Sequence, residues 1–115
     1  MDPENWKDEQ LNIEVSPQQF TAAHTAGAVV IDVRGSLEYM AGHVPDALHI
    51  PLREVDSRLA EVPAGRVYVI CASGQRSLIG AEILRGAGRD AWSVAGGTAG
   101  WKAAGGRVVR GSKPA

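Results

Sequence analysis

Two short apolar runs, Ala28-Val29-Val30-Ile31 and Val67-Tyr68-Val69-Ile70, constrain the fold more than any other feature of this chain. Each is too short for a helix, rich in β-branched residues and apolar throughout, as in a strand covered on both faces. Helix signals lie between such runs. Ser16-Pro17-Gln18-Gln19 supplies an N-cap, a proline for the first turn and a capping-box glutamine, and Gly27 closes that helix. Ser36 to Ala41 reads as a short helix stopped by Gly42, and Leu52 to about Ala60 as another opened by Pro51. A fourth begins at Arg76 or Ser77, shows a broad apolar face through Leu78, Ile79, Ala81, Ile83 and Leu84, and stops at Gly86 and Gly88. Thr98 to Ala104 follows the Gly96-Gly97 turn as a last short helix.

Shorter strands are expected at Ile13-Val15, Leu48-Ile50 and Ala91-Val94, with Arg66-Ile70 the most distinct. Alternating strands and helices imply an α/β domain: a central, mainly parallel five-stranded sheet with helices on both faces. The chain of 115 residues suits one such unit. Residues 1–12 read as a solvated N-terminal arm, 13–105 as the domain and 106–115 as a C-terminal tail with little signal.

Composition narrows the function. Formal net charge is −1, which argues against a general nucleic-acid or membrane-surface binder. No apolar run reaches the length of a bilayer span. The acidic start, Met1 to Gln10, lacks the basic and apolar stretches of a secretory signal. The single cysteine has no partner for an internal disulfide, and no Cys/His cluster suggests a metal. A reducing cytoplasm is the expected location, and no cofactor is implied.

That cysteine stands where the strand Arg66-Ile70 stops, in Cys71-Ala72-Ser73-Gly74-Gln75-Arg76-Ser77. In parallel α/β folds the working site lies beyond the carboxyl ends of the strands, where Cys71 and Asp32 both fall. A lone buried cysteine is commonly an inert packing group. Packing alone, however, requires neither a glycine-bearing loop nor an arginine five residues on. Arg76 supplies fixed positive charge, the helix behind supplies its N-terminal dipole, and Gly74 lets backbone N–H groups converge. Such a semicircle of donors favours a thiolate, which is the reactive form.

The ordered segments Val30-Ile31-Asp32-Val33-Arg34, Glu38-Tyr39, Gly42-His43-Val44-Pro45-Asp46-Ala47-Leu48-His49-Ile50-Pro51-Leu52, Cys71 to Ser77, and Gly96-Gly97 with Trp101 resemble a single-domain rhodanese, a sulfurtransferase. The resemblance implies a two-step transfer. Cys71 takes a sulfane sulfur from a small sulfur-containing anion such as thiosulfate and then passes it from the persulfide to a thiol, cyanide or a protein acceptor. It implies that Ala72, Ser73, Gly74, Gln75, Arg76 and Ser77 form the substrate-binding loop. Asp32 and Arg34 resemble the family's supporting acidic and basic pair. Asp32 is expected to fix loop N–H groups; Arg34 is expected to pair with a carboxylate such as Glu38 or to line the entrance. His43 belongs to a turn motif and is read as a structural hydrogen-bonding residue, not a base for the thiol. His24 and His49 have no companions that suggest a metal, and Trp92 and Trp101 read as packing groups.

Two rivals stand beside this reading. Phosphatases and arsenate reductases of the same fold separate cysteine and arginine by five residues, whereas four, Ala72 to Gln75, intervene here. One residue adds about 3.5 Å of contour, so the shorter loop suits a smaller anion. The other rival is a sulfur-carrier or regulatory binding module that acts with a protein partner. Oligomeric state has no signature in the sequence.

Overall fold

The computed structural model describes residues 13–115. The proposed arm over residues 1–12 lies outside the described residues. Five strands form one sheet: β1 (Glu14–Val15), β2 (Val29–Asp32), β3 (Leu48–His49), β4 (Arg66–Ile70) and β5 (Asp90–Val94). Their order is β1-β5-β4-β2-β3, and all four neighbouring pairs are parallel. Among the described residues, α1 (Pro17–Thr25), α2 (Ser36–Ala41) and α3 (Gln75–Gly86) connect strands, and α4 (Gly97–Ala103) follows β5. The α/β class and the sheet are thus as expected, with parallel pairing throughout.

Strand periodicity divides the core. Ile31, Val67 and Val69 point to one face, where Ala81 and Leu84 of α3 cover them together with Val55 and Val62. Val30, Tyr68 and Ile70 point to the other, against Phe20 of α1, Tyr39 of α2 and Trp101 of α4. Each fully buried large apolar side chain contributes about 1.5–3 kcal/mol, so both layers are needed. The helix after β2 therefore packs on one face and the helix after β4 on the other. Adjacent strands whose connections diverge in this way leave a crevice at their carboxyl ends.

Local capping follows the sequence. The Gln19 N–H donates to Ser16 Oγ at 3.0 Å, and Gln19 Oε1 accepts the Ser16 N–H at 2.8 Å. The helix expected over Leu52 to Ala60 does not form. Two short 3-10 turns, Leu52–Glu54 and Leu59–Glu61, occur instead. The backbone bonds three residues back, Val55 N–H to Leu52 O at 3.3 Å, Ser57 N–H to Glu54 O at 3.1 Å and Arg58 N–H to Val55 O at 3.2 Å, and the Ser57 hydroxyl also donates to Glu54 O at 3.1 Å. Arg89 holds the far end of the segment through Val62 O at 2.8 Å and Leu59 O at 3.0 Å.

Residues after α4 have their own contacts. Val109 forms an antiparallel bridge with His43, and Pro114 O accepts the Asp46 N–H at 2.9 Å. Gly106 lies against the indole of Trp101, whose Nε1–H donates to Arg107 O at 2.7 Å. Sequence periodicity registers none of this, because the segment adds no element of regular structure.

The Gly96-Gly97 turn brings α4 against the cysteine loop. Gly97 has φ +57°, and a Cβ there would lie 2.5 Å from Cys71 O and 2.6 Å from the Ala72 carbonyl carbon. Left-handed strain and overlap together make Gly97→Ala destabilising by about 2–4 kcal/mol, to be read as a lower urea midpoint. Gly86→Ala, at a position open to solvent, should leave the midpoint near its starting value.

Candidate active site

Strand β4 delivers Cys71 to the crevice, and the chain turns through Ala72, Ser73 and Gly74 before α3 begins at Gln75. Gly74 makes this turn possible with φ 107° in the left-handed region. The Gly74 N–H donates to Cys71 Sγ at 3.1 Å, and Ser77 Oγ lies 3.4 Å from the same sulfur. The loop is held from behind. Cys71 O accepts the Thr98 N–H at 2.8 Å and the Thr98 hydroxyl at 3.0 Å, while Ala72 O accepts the Ala99 N–H at 3.1 Å.

Burial pushes the Cys71 thiol up, because an apolar surround disfavours charge. The Ser77 hydroxyl and the N–H groups of Ser77, Gly74 and Ser73 act in the opposite direction, and together they outweigh it. The net result is a lowered thiol pKa. A thiolate at this position meets donors that are already in place, so no reorganisation is required when negative charge develops.

Ser93 completes the arrangement and was not among the residues picked out from sequence. Its hydroxyl lies 2.8 Å from Ser77 Oγ, and both serines are buried. When Cys71 is a thiolate and Ser93 donates to Ser77, the Ser77 proton is directed at the sulfur. A polar residue within the apolar strand Ala91-Trp92-Ser93-Val94 was the available signal. Ser93→Ala is expected to shift the pH dependence of thiol alkylation upward. Below the pKa this slows alkylation by about 3- to 10-fold, the value of one hydrogen bond; Ser93→Thr should restore most of the rate.

The remaining loop residues divide by exposure. Ser73 and Gln75 are exposed, Ala72 and Arg76 half-buried, and Gly74 and Ser77 buried. Arg76 does not turn its guanidinium over the sulfur. Its Nη1 and Nη2 donate to Glu38 Oε1 and Oε2, both at 2.8 Å, across the mouth of the site. This bidentate bond is the main reason the Glu38 carboxyl falls to about 2. Arg34 does pair with a carboxylate, one of the two expected alternatives, but Glu38 is not its partner. Arg34 instead forks onto Asp32, with Nη2 to Oδ2 at 2.8 Å and Nε to Oδ1 at 3.0 Å. Residues two apart project to the same side of extended chain, and both of these are buried. Asp32 Oδ1 also accepts the Arg34 backbone N–H at 3.0 Å.

The histidines lie apart from the thiol. His43 stacks on Tyr39 with centroids 3.6 Å apart, and its ring nitrogens face Tyr39 O at 2.8 Å and Lys113 O at 2.9 Å. His24 meets Pro45 O, and His49 meets Arg34 O. Among the described residues no group of three His, Cys, Asp or Glu side chains is placed to hold a metal ion. The guanidinium carbons of Arg66 and Arg85 lie over the Trp92 ring, 4.9 and 4.6 Å from its centroid.

The rhodanese-like domain family matches residues 16–104 of this sequence. The chain belongs to that family. It is 32% identical over 91 residues to the thiosulfate sulfurtransferase GlpE of Pseudomonas savastanoi, an alignment that covers 77% of this chain and 86% of that protein. It is also 40% identical over 57 residues to the putative sulfur carrier protein YrkF of Bacillus subtilis, covering 49% of this chain and 31% of the other. Among solved structures, a rhodanese-related protein from Thermoplasma volcanium superposes with a TM-score of 0.78 at 28% identity, covering 84% of this chain and 96% of that one. No described helix is long and apolar enough to cross a membrane.

Proposed function

We propose that this rhodanese-like domain is a sulfurtransferase that carries a sulfane sulfur on Cys71. One observation carries the reading: the Cys71 sulfur sits at the end of β4 among preorganised donors, with Gly74 N–H at 3.1 Å and a lowered pKa. The Cys71 thiolate attacks the outer sulfur of thiosulfate. A bond forms between the two sulfurs, the S–S bond of the donor breaks, and its electron pair leaves with sulfite. The persulfide anion then occupies the loop, where the N–H groups and Ser77 offset its charge. An acceptor nucleophile attacks the outer sulfur in the second step, and the electron pair of the broken bond returns to Cys71 as thiolate. Cyanide as acceptor gives thiocyanate.

The loop residues Ala72 to Ser77 would enclose the transferred atom, and Asp32 with Arg34 would brace the floor of the crevice. Likeness to thiosulfate sulfurtransferases across most of both chains supports this assignment. The four-residue spacing between Cys71 and Arg76 favours sulfur over a phosphoryl group. So does the engagement of Arg76 by Glu38, because a phosphatase arginine must be free for the phosphate oxygens. Thiosulfate-to-cyanide turnover, with mass detection of one added sulfur atom, is the direct test. Aryl phosphate turnover that depends on Cys71 would overturn the assignment.

The likeness to a putative sulfur carrier favours a second reading, in which the persulfide is handed to one protein partner. Persulfide that forms from thiosulfate but is discharged by neither cyanide nor any small thiol would establish the carrier.

A further inference from the structure

A cleft of about 430 Å³ opens beside the cysteine loop, between the ends of β2 and α3 and the segment after β3. Its lining includes Val33, Pro51, Leu52, Arg53, Glu54 and Arg76. Val33 connects it to the reacting strand, for its N–H donates to Ile70 O, the residue before Cys71, at 3.0 Å. The loop itself surrounds a single sulfur atom. A cleft of this volume falls in the range of small-molecule sites, roughly 300–1,000 Å³, and is large for an inorganic donor.

Charge distinguishes what fits. Arg76 is engaged by both oxygens of Glu38. Glu54 Oε1 accepts Arg58 Nη1 at 3.2 Å, and Arg58 also holds Glu61. Arg53 is exposed and, among the described residues, forms no ion pair. It is the cation left over beside apolar walls. Arg76, the anion-binding charge expected from the sequence, is occupied by Glu38, and the free charge at the cleft is on Arg53.

We propose that this cleft is the acceptor site and takes an organic thiol bearing a carboxylate. Its carbon body lies on Val33, Pro51 and Leu52, and its carboxylate meets Arg53. The proposal rests on the sulfur-transfer reading. The acceptor thiol gives its proton to solvent and, as thiolate, attacks the outer sulfur of the Cys71 persulfide. A new S–S bond forms on the acceptor, the bond to Cys71 breaks with its electron pair returning to Sγ, and an organic persulfide leaves.

The test uses the chain loaded with thiosulfate and freed of excess donor. Discharge rates are measured with mercaptopropionate and with mercaptoethanol, and their ratio is compared between proteins so that intrinsic thiol reactivity cancels. Arg53→Gln is expected to lower the ratio by about 3- to 5-fold at low salt, the effect of one exposed charge pair. Arg53→Glu lowers it further, and Glu54→Gln, which removes an opposing charge, raises it. Salt of about 1 M shortens the screening length to about 3 Å and should abolish the differences. A ratio unchanged in both Arg53 variants overturns the acceptor site while leaving sulfur transfer standing. Absence of the added sulfur in the mass spectrum of the loaded wild-type chain overturns both.

Discussion

Cys71→Ala is expected to take up no sulfur from thiosulfate and to lose thiosulfate-to-cyanide transfer by ~10³-fold or more, the scale for removal of a nucleophile. The mass spectrum of the variant should show no added sulfur, whereas the wild type gains one sulfur atom. Folding is expected to survive. The sulfur is fully buried against the α3 face of the sheet, but its removal deletes one heavy atom at a cost of about 1 kcal/mol. The backbone bonds from Cys71 O to Thr98 do not involve the side chain. Near-native circular dichroism together with lost transfer is thus the expected pair of results. Substantial thiocyanate production by the alanine protein would remove Cys71 from the reaction and sink the assignment.

Asp32→Ala is expected to act on stability. Asp32 is fully buried, and its carboxylate accepts two side-chain donors and the backbone N–H of Arg34. The substitution leaves the Arg34 guanidinium buried with Gly42 O at 2.8 Å as its remaining partner. An unpaired buried charge of this kind costs about 3–5 kcal/mol, so the urea midpoint should fall sharply. Replacing both residues, as in Asp32→Ala with Arg34→Met, removes the stranded charge and should recover a large part of the loss. Persulfide formation per folded molecule should stay close to wild type, because the Asp32 carboxylate bonds to Arg34 and not to the sulfur. Retained stability with lost sulfur uptake would instead assign Asp32 a part in proton transfer.

The elements most legible in the sequence are those encoded by local interactions. Ser16 with Gln19 marks a helix start because the capping bonds span three residues. Arg66 to Ile70 reads as a strand because every position past the first is apolar and buried on both faces. The segment after Pro51 is a different case. Leu52, Val55 and Leu59 have helix-like spacing, yet the backbone there bonds three residues back, and Arg89 holds its far end from some thirty positions away. Helical periodicity carries no information about such a long-range contact.

The candidate thiol, its loop and its spacing to Arg76 follow from the order of residues alone, since Cys71 follows a strand and precedes a helix within one short segment. Which charges remain free at the mouth was decided only by tertiary packing. Asp32 took Arg34 because the two share one buried side of extended chain, and this left Glu38 to meet Arg76, 38 residues on. Ser93 reached Ser77 only because β5 lies beside β4 and α3, which follows β4, packs over both. Local hydrogen bonding and hydrophobic period specify elements within a few residues of one another. Ion pairs and hydroxyl contacts across the crevice depend on how separate elements stack, so the free charge on Arg53 emerges only once the chain has folded.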